Sequence, residues 1–185
     1  MRNERLRMLI VTALFAAIIA VLAQVSIPLP FSPVPITGQT LAIGLAATIL
    51  GSRYGTLSVI VYLLLGAVGA PVFAGMEGGL GALVGPTGGY LIGFVPTAFV
   101  IGWYVEKFGF TVTHAIVANI IGMVITLAFG TAWLKVAAEM SWSVAIAAGV
   151  TPFLLLGVVK AVLAAVVGIA VRKRLASAKL MPTTV

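Results

Sequence analysis

An all-α integral membrane protein, a bundle of six transmembrane helices with both termini in the cytoplasm, is the fold class the sequence predicts. Three observations predict it. No charged side chain stands between Met8 and Arg53. The 185-residue chain is 62% hydrophobic with a mean hydropathy of +1.23. Its apolar runs are also too many to hide inside a soluble domain of this size, since about 20 mainly apolar residues are enough for a helix to cross a bilayer. In lipid every backbone N–H and C=O must pair internally, so spans are helices or closed barrels. The runs here are continuous rather than alternating, which selects helices.

The elements follow in order. Residues 8–25 form the first helix, preceded by Arg2, Arg5 and Arg7. This basic start and apolar run resemble a signal peptide, but no clean small-x-small cleavage site follows, so the run is read as a retained span. Residues 38–51 form a second helix, short for a full span and therefore either extended backwards through Pro35 or tilted and buried behind its neighbours. Residues 55–70, 89–105, 112–130 and 151–171 form the remaining four. The connections at 51–54 and 106–110 are short and charged, as in helix hairpins. The segment 135–143 carries Trp133 and Trp142 at its borders and reads as an interfacial helix. One membrane domain accounts for residues 1–185.

With the N-terminus in the cytoplasm, Arg2, Arg5, Arg7, Arg53, Lys107, Arg172, Lys173, Arg174 and Lys179 all fall inside. Lys135 alone falls in an outer loop, and Lys160 lies within the last helix. This is the positive-inside pattern. The net charge of +7 is thus a topology signal and not a nucleic-acid surface.

Composition removes several function classes. There is no cysteine, so disulfides, thiolate metal sites and cysteine nucleophiles are excluded. Aspartate is absent as well; the acids are Glu4, Glu77, Glu106 and Glu139. No G-x-S-x-G or G-x-x-x-x-G-K-[ST] is present, which argues against serine hydrolysis and against ATP hydrolysis by this chain. His114 is the sole histidine and falls on the inner side. Catalytic residues, a metal site and a cofactor are not expected.

Two outer loops stand out. Residues 27–39, IPLPFSPVPITGQ, carry Pro28, Pro30, Pro33 and Pro35, which fix φ and remove donors; an extended, rigid strap is expected. Residues 71–88 are rich in glycine, which permits tight turns and close approach of backbone to a ligand. Both loops lie on the outer face, as a mouth and a lid. Phe31, Phe73 and Tyr90 border them as candidate apolar walls. Lys160 sits about eight residues into the last helix, roughly 12 Å from its outer end. An ionisable group at that depth is expensive unless it faces a cavity or a partner. An ammonium facing outwards suits an anionic ligand, most simply a carboxylate. Glu77 is either solvated in the lid or an acceptor for a polar ligand. Gln39 ends the proline strap and is placed for a ligand. Asn119 is costly to bury unpaired and reads either as a ligand contact or as a bond between helices. On the first helix, Ala13 and Ala17, like Ala16 and Ala20, have the small-xxx-small spacing that admits a neighbouring helix.

The strings PVPITGQTL, GPTGGYLIGF and TPFLLLGVVKA, in that order, resemble the BioY family, the biotin-binding S-components of energy-coupling factor (ECF) transporters. The likeness covers nearly the whole chain. It implies a six-helix bundle in the cell membrane of a prokaryote that captures biotin on its outer face. Transport would then require a membrane coupling protein and two cytoplasmic ATPases. The family's first helix carries an A-x-x-x-A surface for the coupling protein, matched here by Ala13 and Ala17. In a biotin site Lys160 would neutralise the carboxylate or bond a ureido oxygen. Phe73, Tyr90 and Phe31 would flank the ring and chain, and Gln39 would hold a polar edge. One departure from the family is Gly157, where relatives commonly carry aspartate. Either Glu77 or Asn119 replaces that acceptor, or the ligand sits differently.

Overall fold

The computed structural model describes residues 2–178; Lys179, one of the basic residues that set the expected topology, lies outside them. In order the chain forms α1 (Arg2–Ala23), a β-hairpin of β1 (Ser26–Leu29) and β2 (Ser32–Thr37), and α2 (Gln39–Ala67). A 3-10 turn (Ala74–Met76), α3 (Leu80–Val84), α4 (Gly88–Phe108) and α5 (Val112–Ala137) follow. The chain ends with α6 (Trp142–Gly149), a second 3-10 turn (Thr151–Phe153) and α7 (Leu154–Ser177). Five helical stretches among the described residues are long and apolar enough to cross a membrane.

The second of these is not one straight rod. Gly51 inside α2 has φ 80° and ψ −173°, in the left-handed half of backbone space where glycine is at ease. Gln39 Nε2 donates to the Tyr62 hydroxyl at 2.7 Å across 23 residues. In a continuous helix those residues would stand about 34 Å apart. The chain therefore reverses at Gly51, and α2 is two antiparallel arms, as the short charged connection at 51–54 predicts. The first arm starts at Gln39 rather than reaching back through Pro35, and nearly all of it is buried. Its shortness is accommodated by burial behind its neighbours.

Packing fixes the remaining order. The fourth helix lies against α2 and α5, α7 against the same two, and α1 against α2. Small buried residues (Ala42, Ala47, Ala98, Ala118, Ala165) line these contacts and let helix backbones approach. Outward-facing side chains are large and apolar, as for Val21, Leu64, Val124 and Leu155, the last 78% exposed. A surface of that kind suits lipid.

Met8 of α1, Leu50 beside the α2 reversal and Leu175 of α7 share one apolar cluster, so both ends of the described chain lie at the same end of the bundle. Arg7, Arg53, Lys107, Arg172, Lys173 and Arg174 flank the residues of that end, whereas Lys135 and Lys160 do not. Arg172 donates to the carbonyl of Ile49 and stacks 3.4 Å over the Phe110 ring. Glu106 of α4 receives the Ser52 N–H at 2.9 Å and the Ser52 hydroxyl at 2.6 Å, capping the second arm of α2. Gly102 of α4 lies directly on this reversal, where a Cβ would run into the backbone of Gly51 and Ser52. Gly102→Ala is therefore expected to cost about 2 kcal/mol or more through overpacking against atoms that cannot rotate away. A thermal melt of the purified protein in detergent measures the loss; an unchanged midpoint would show that α4 can shift freely.

Three sequence expectations are corrected. The proline segment is not a single extended strap. It folds back as an antiparallel hairpin with Ser26 opposite Thr37 and Leu29 opposite Ser32. In a two-strand sheet every strand is an edge, so prolines can turn their donor-less nitrogens outward. The helix expected over 135–143 is also displaced: α5 runs on through Ala137, and the separate short helix is α6. Finally, the last helix begins at Leu154 and runs to Ser177, rather than spanning 151–171.

Candidate functional site

At the end of the bundle away from the basic cluster, the β-hairpin and the 68–87 segment border the mouth of a cavity of about 980 Å³. That lies at the upper end of small-molecule sites, about 300–1,000 Å³. Most lining side chains are apolar, and Lys160 is the single cation among them.

Lys160 is half-buried on α7. Its Nζ donates to the Thr37 carbonyl at 2.7 Å, tying α7 to the end of β2. An ammonium carries three donors, so this bond leaves capacity facing the cavity. Thr37 continues the chain of contacts. Its hydroxyl donates to Gln39 Oε1 at 2.7 Å, and Gln39 passes an N–H to Tyr62. Gln39 thus lines the cavity with its acceptor and one donor already engaged, and the second N–H remains for a ligand.

The aromatic wall comes from three elements. Phe73 is 2% exposed and meets the Tyr62 ring edge-on at 5.5 Å. Its ring fills the slot left by the missing Cβ of Gly66. The Tyr90 hydroxyl donates to the Gly149 carbonyl at 2.8 Å and lies 3.3 Å from Thr131 Oγ1, so its ring, not its hydroxyl, is what it offers. Phe153 stands 6.4 Å from the Tyr90 ring.

Deeper in, Asn119 donates to Thr48 Oγ1 and the Ala115 carbonyl, both at 2.9 Å. It is therefore a bond between α5 and α2 as well as a lining residue. Thr97 and Thr126 pair at 2.8 Å beside it. Gly157 also lines the cavity; a Cβ there would stand 2.5 Å from Met123 Sδ, so Met123 occupies the space of a longer side chain. Glu77 is exposed at the rim.

Six of the seven residues picked from sequence (Lys160, Gln39, Tyr90, Phe73, Glu77 and Asn119) line this one cavity. Phe31 does not: it sits at the hairpin tip, 66% exposed, because the proline segment turns back there. Ala13 and Ala17 are exposed on α1, while Ala16 is buried. Sequence reasoning missed Gln24, Thr37, Phe153 and the Thr97–Thr126 pair. An isolated amide or hydroxyl in an apolar sequence carries no signal of which loop it will meet.

A family model described as the BioY family matches residues 1–177. The chain is 41% identical over 175 residues to biotin transporter BioY2 of Lactococcus lactis subsp. cremoris, covering 95% of each. It is 42% identical over 168 residues to biotin transporter BioY of Thermotoga maritima, covering 91% of this chain and 97% of that one. It also superposes on a 2.1 Å crystal structure of the S-component for biotin from an ECF-type ABC transporter. The TM-score is 0.86 at 30% identity, with 94% of each chain covered.

Proposed function

The chain belongs to the BioY family, and we infer that it is the biotin-binding S-component of an ECF-type vitamin importer rather than an enzyme. The observation that supports this most directly is a largely apolar cavity with one ammonium in its wall. Biotin has an apolar bicycle and valeryl chain, a ureido group and one carboxylate. Phe73, Tyr90 and Phe153 offer surface for the ring and chain. Lys160 offers a charged donor to the carboxylate or to the ureido oxygen, and the free N–H of Gln39 offers a second. Glu77 at the rim and Asn119 at depth are the candidates for the ureido N–H groups that Gly157 leaves without a carboxylate.

Six segments cross the membrane in this reading, the two arms of α2 counting separately. The positive-inside rule sets the basic end and both termini in the cytoplasm of a prokaryotic cell and the cavity outside. The sequence has no nucleotide-binding loop. The likeness to an ECF-type S-component implies that transport uses a membrane coupling protein and two cytoplasmic ATPases, and the exposed Ala13 and Ala17 are the surface proposed for the coupling protein.

A binding isotherm of the purified chain tests the assignment. One equivalent of biotin should bind tightly and without turnover, and riboflavin and thiamine should not compete. Failure to bind biotin, or displacement by either other vitamin, overturns it. Phe31→Ala is expected to leave biotin affinity within about twofold, since the residue is outside the cavity and exposed single side chains contribute little. A larger loss would mean that the hairpin tip folds over the ligand.

A further inference from the structure

The segment that roofs the cavity is anchored by the buried Phe73 ring and by the Gly79 N–H bond to the Gly66 carbonyl at 2.7 Å, and one side chain at the end of the first helix ties its turn across to α1. Gln24 follows α1, and both ends of its amide are used. Its Nε2 donates to the carbonyls of Phe73 at 3.0 Å and Val72 at 3.3 Å, besides that of Ala20 at 3.2 Å. Its Oε1 accepts the Met76 N–H at 3.0 Å. Met76 has φ 62° and follows Gly75 at φ 71°. A non-glycine residue in the left-handed region is uncommon and persists where its surroundings hold it; here the Phe73 N–H closes the turn on the Glu77 carbonyl at 3.0 Å, and Gln24 is the side chain that grips Met76 itself. Elsewhere the roof is fastened by Trp133, whose Nε1 donates to the Gly85 carbonyl at 2.9 Å. Between these ties Met76, Leu80 and Val84 are each more than 60% exposed.

We propose that Gln24 is a positioning residue that sets how long the ligand stays, by latching the 72–76 turn, with Phe73 and the rim residue Glu77, over the cavity. Gln24 itself lines the cavity, but its amide is spent on the loop backbone, so its effect passes through the roof. Cutting the latch frees a turn that otherwise has a strained residue at its apex. The roof then opens more often, and a bound molecule leaves faster. This rests on the reading of the cavity as a biotin site.

Two measurements on the full chain test it, and the first needs no ligand. In Gln24→Ala, amide hydrogen exchange across 72–79 should rise at least about tenfold while the α4 amides keep their protection, since local openings report local ties. In the second, the biotin off-rate of Gln24→Ala should rise at least about tenfold with the on-rate changed less than about threefold, as for most affinity changes in related complexes. Gln24→Glu keeps the acceptor for Met76 but sets a carboxylate against the carbonyls of Ala20, Val72 and Phe73. It should raise both readouts too, and it serves as the probe if the alanine variant fails to fold. Unchanged exchange across 72–79, or raised exchange with an unchanged off-rate, overturns the proposal. A wild-type chain that binds no biotin instead indicts the ligand assignment, while the exchange measurement still judges the latch.

Discussion

Replacing Lys160 with alanine is expected to weaken biotin binding at least about tenfold, or about 1.4 kcal/mol. The side chain is half-buried in a cavity wall, and its bond to the Thr37 carbonyl does not neutralise its charge. A polar or anionic ligand group brought to this depth loses its water. If the variant offers no donor in return, the group stays unpaired, at about 1–3 kcal/mol for a neutral group and more for a charged one. Lys160→Met is the companion variant, because it keeps much of the apolar stem and removes only the charge and donors. Both are expected to lose affinity alike. Biotin methyl ester assigns the partner: if the ester suffers the same loss as the acid, Lys160 serves the ureido oxygen, and if the acid alone suffers, Lys160 serves the carboxylate. Unchanged affinity in both variants would remove Lys160 from the site. The variant also cuts the Thr37 tie, so a melt of the ligand-free protein accompanies the isotherm.

Which features were legible in the sequence depends on how local their causes are. The charge-free stretch from Met8 to Arg53 announces membrane helices, because desolvating charge is the dominant cost in lipid. The reversal at Gly51 was legible too, through the short charged connection that includes Arg53. Lys160 identified itself because a lysine eight residues into an apolar helix needs a reason. What escaped were the pairings between distant segments. Prolines said that residues 27–39 could not be helical, but the Ser26–Thr37 pairing that makes a hairpin of them depends on a turn at Pro30 and Phe31. Phe31 was therefore assigned to a wall it does not reach. Gln24 meets Phe73 and Met76 some 50 positions away, and nothing around either partner marks them for each other. The departure at Gly157 was visible, whereas its filling by Met123 was not, since packing between α5 and α7 has no signature in one sequence.

A tryptophan at Ala17 is expected to abolish biotin uptake by cells that co-express the coupling protein and ATPases, while the purified chain still binds biotin within about twofold. The spacing of alanines on α1 cannot say which pair faces outward, because Ala13 and Ala17 look the same as Ala16 and Ala20 in a sequence. Burial separates them. Ala17 is exposed, whereas Ala16 is 1% exposed and belongs to the same buried cluster as Ala23 and Ala42. Without water, helices associate through close packing of small residues, so a bulky group at Ala17 holds a partner helix off and leaves the bundle interior intact. The same change at Ala16 forces volume into a packed core and should cost the fold itself, so uptake and binding fall together there. Should Ala17→Trp spare uptake, the coupling protein docks elsewhere. Should it destroy binding as Ala16→Trp does, α1 is packed against its own bundle at that position and the exposed face lies on the other side of the helix.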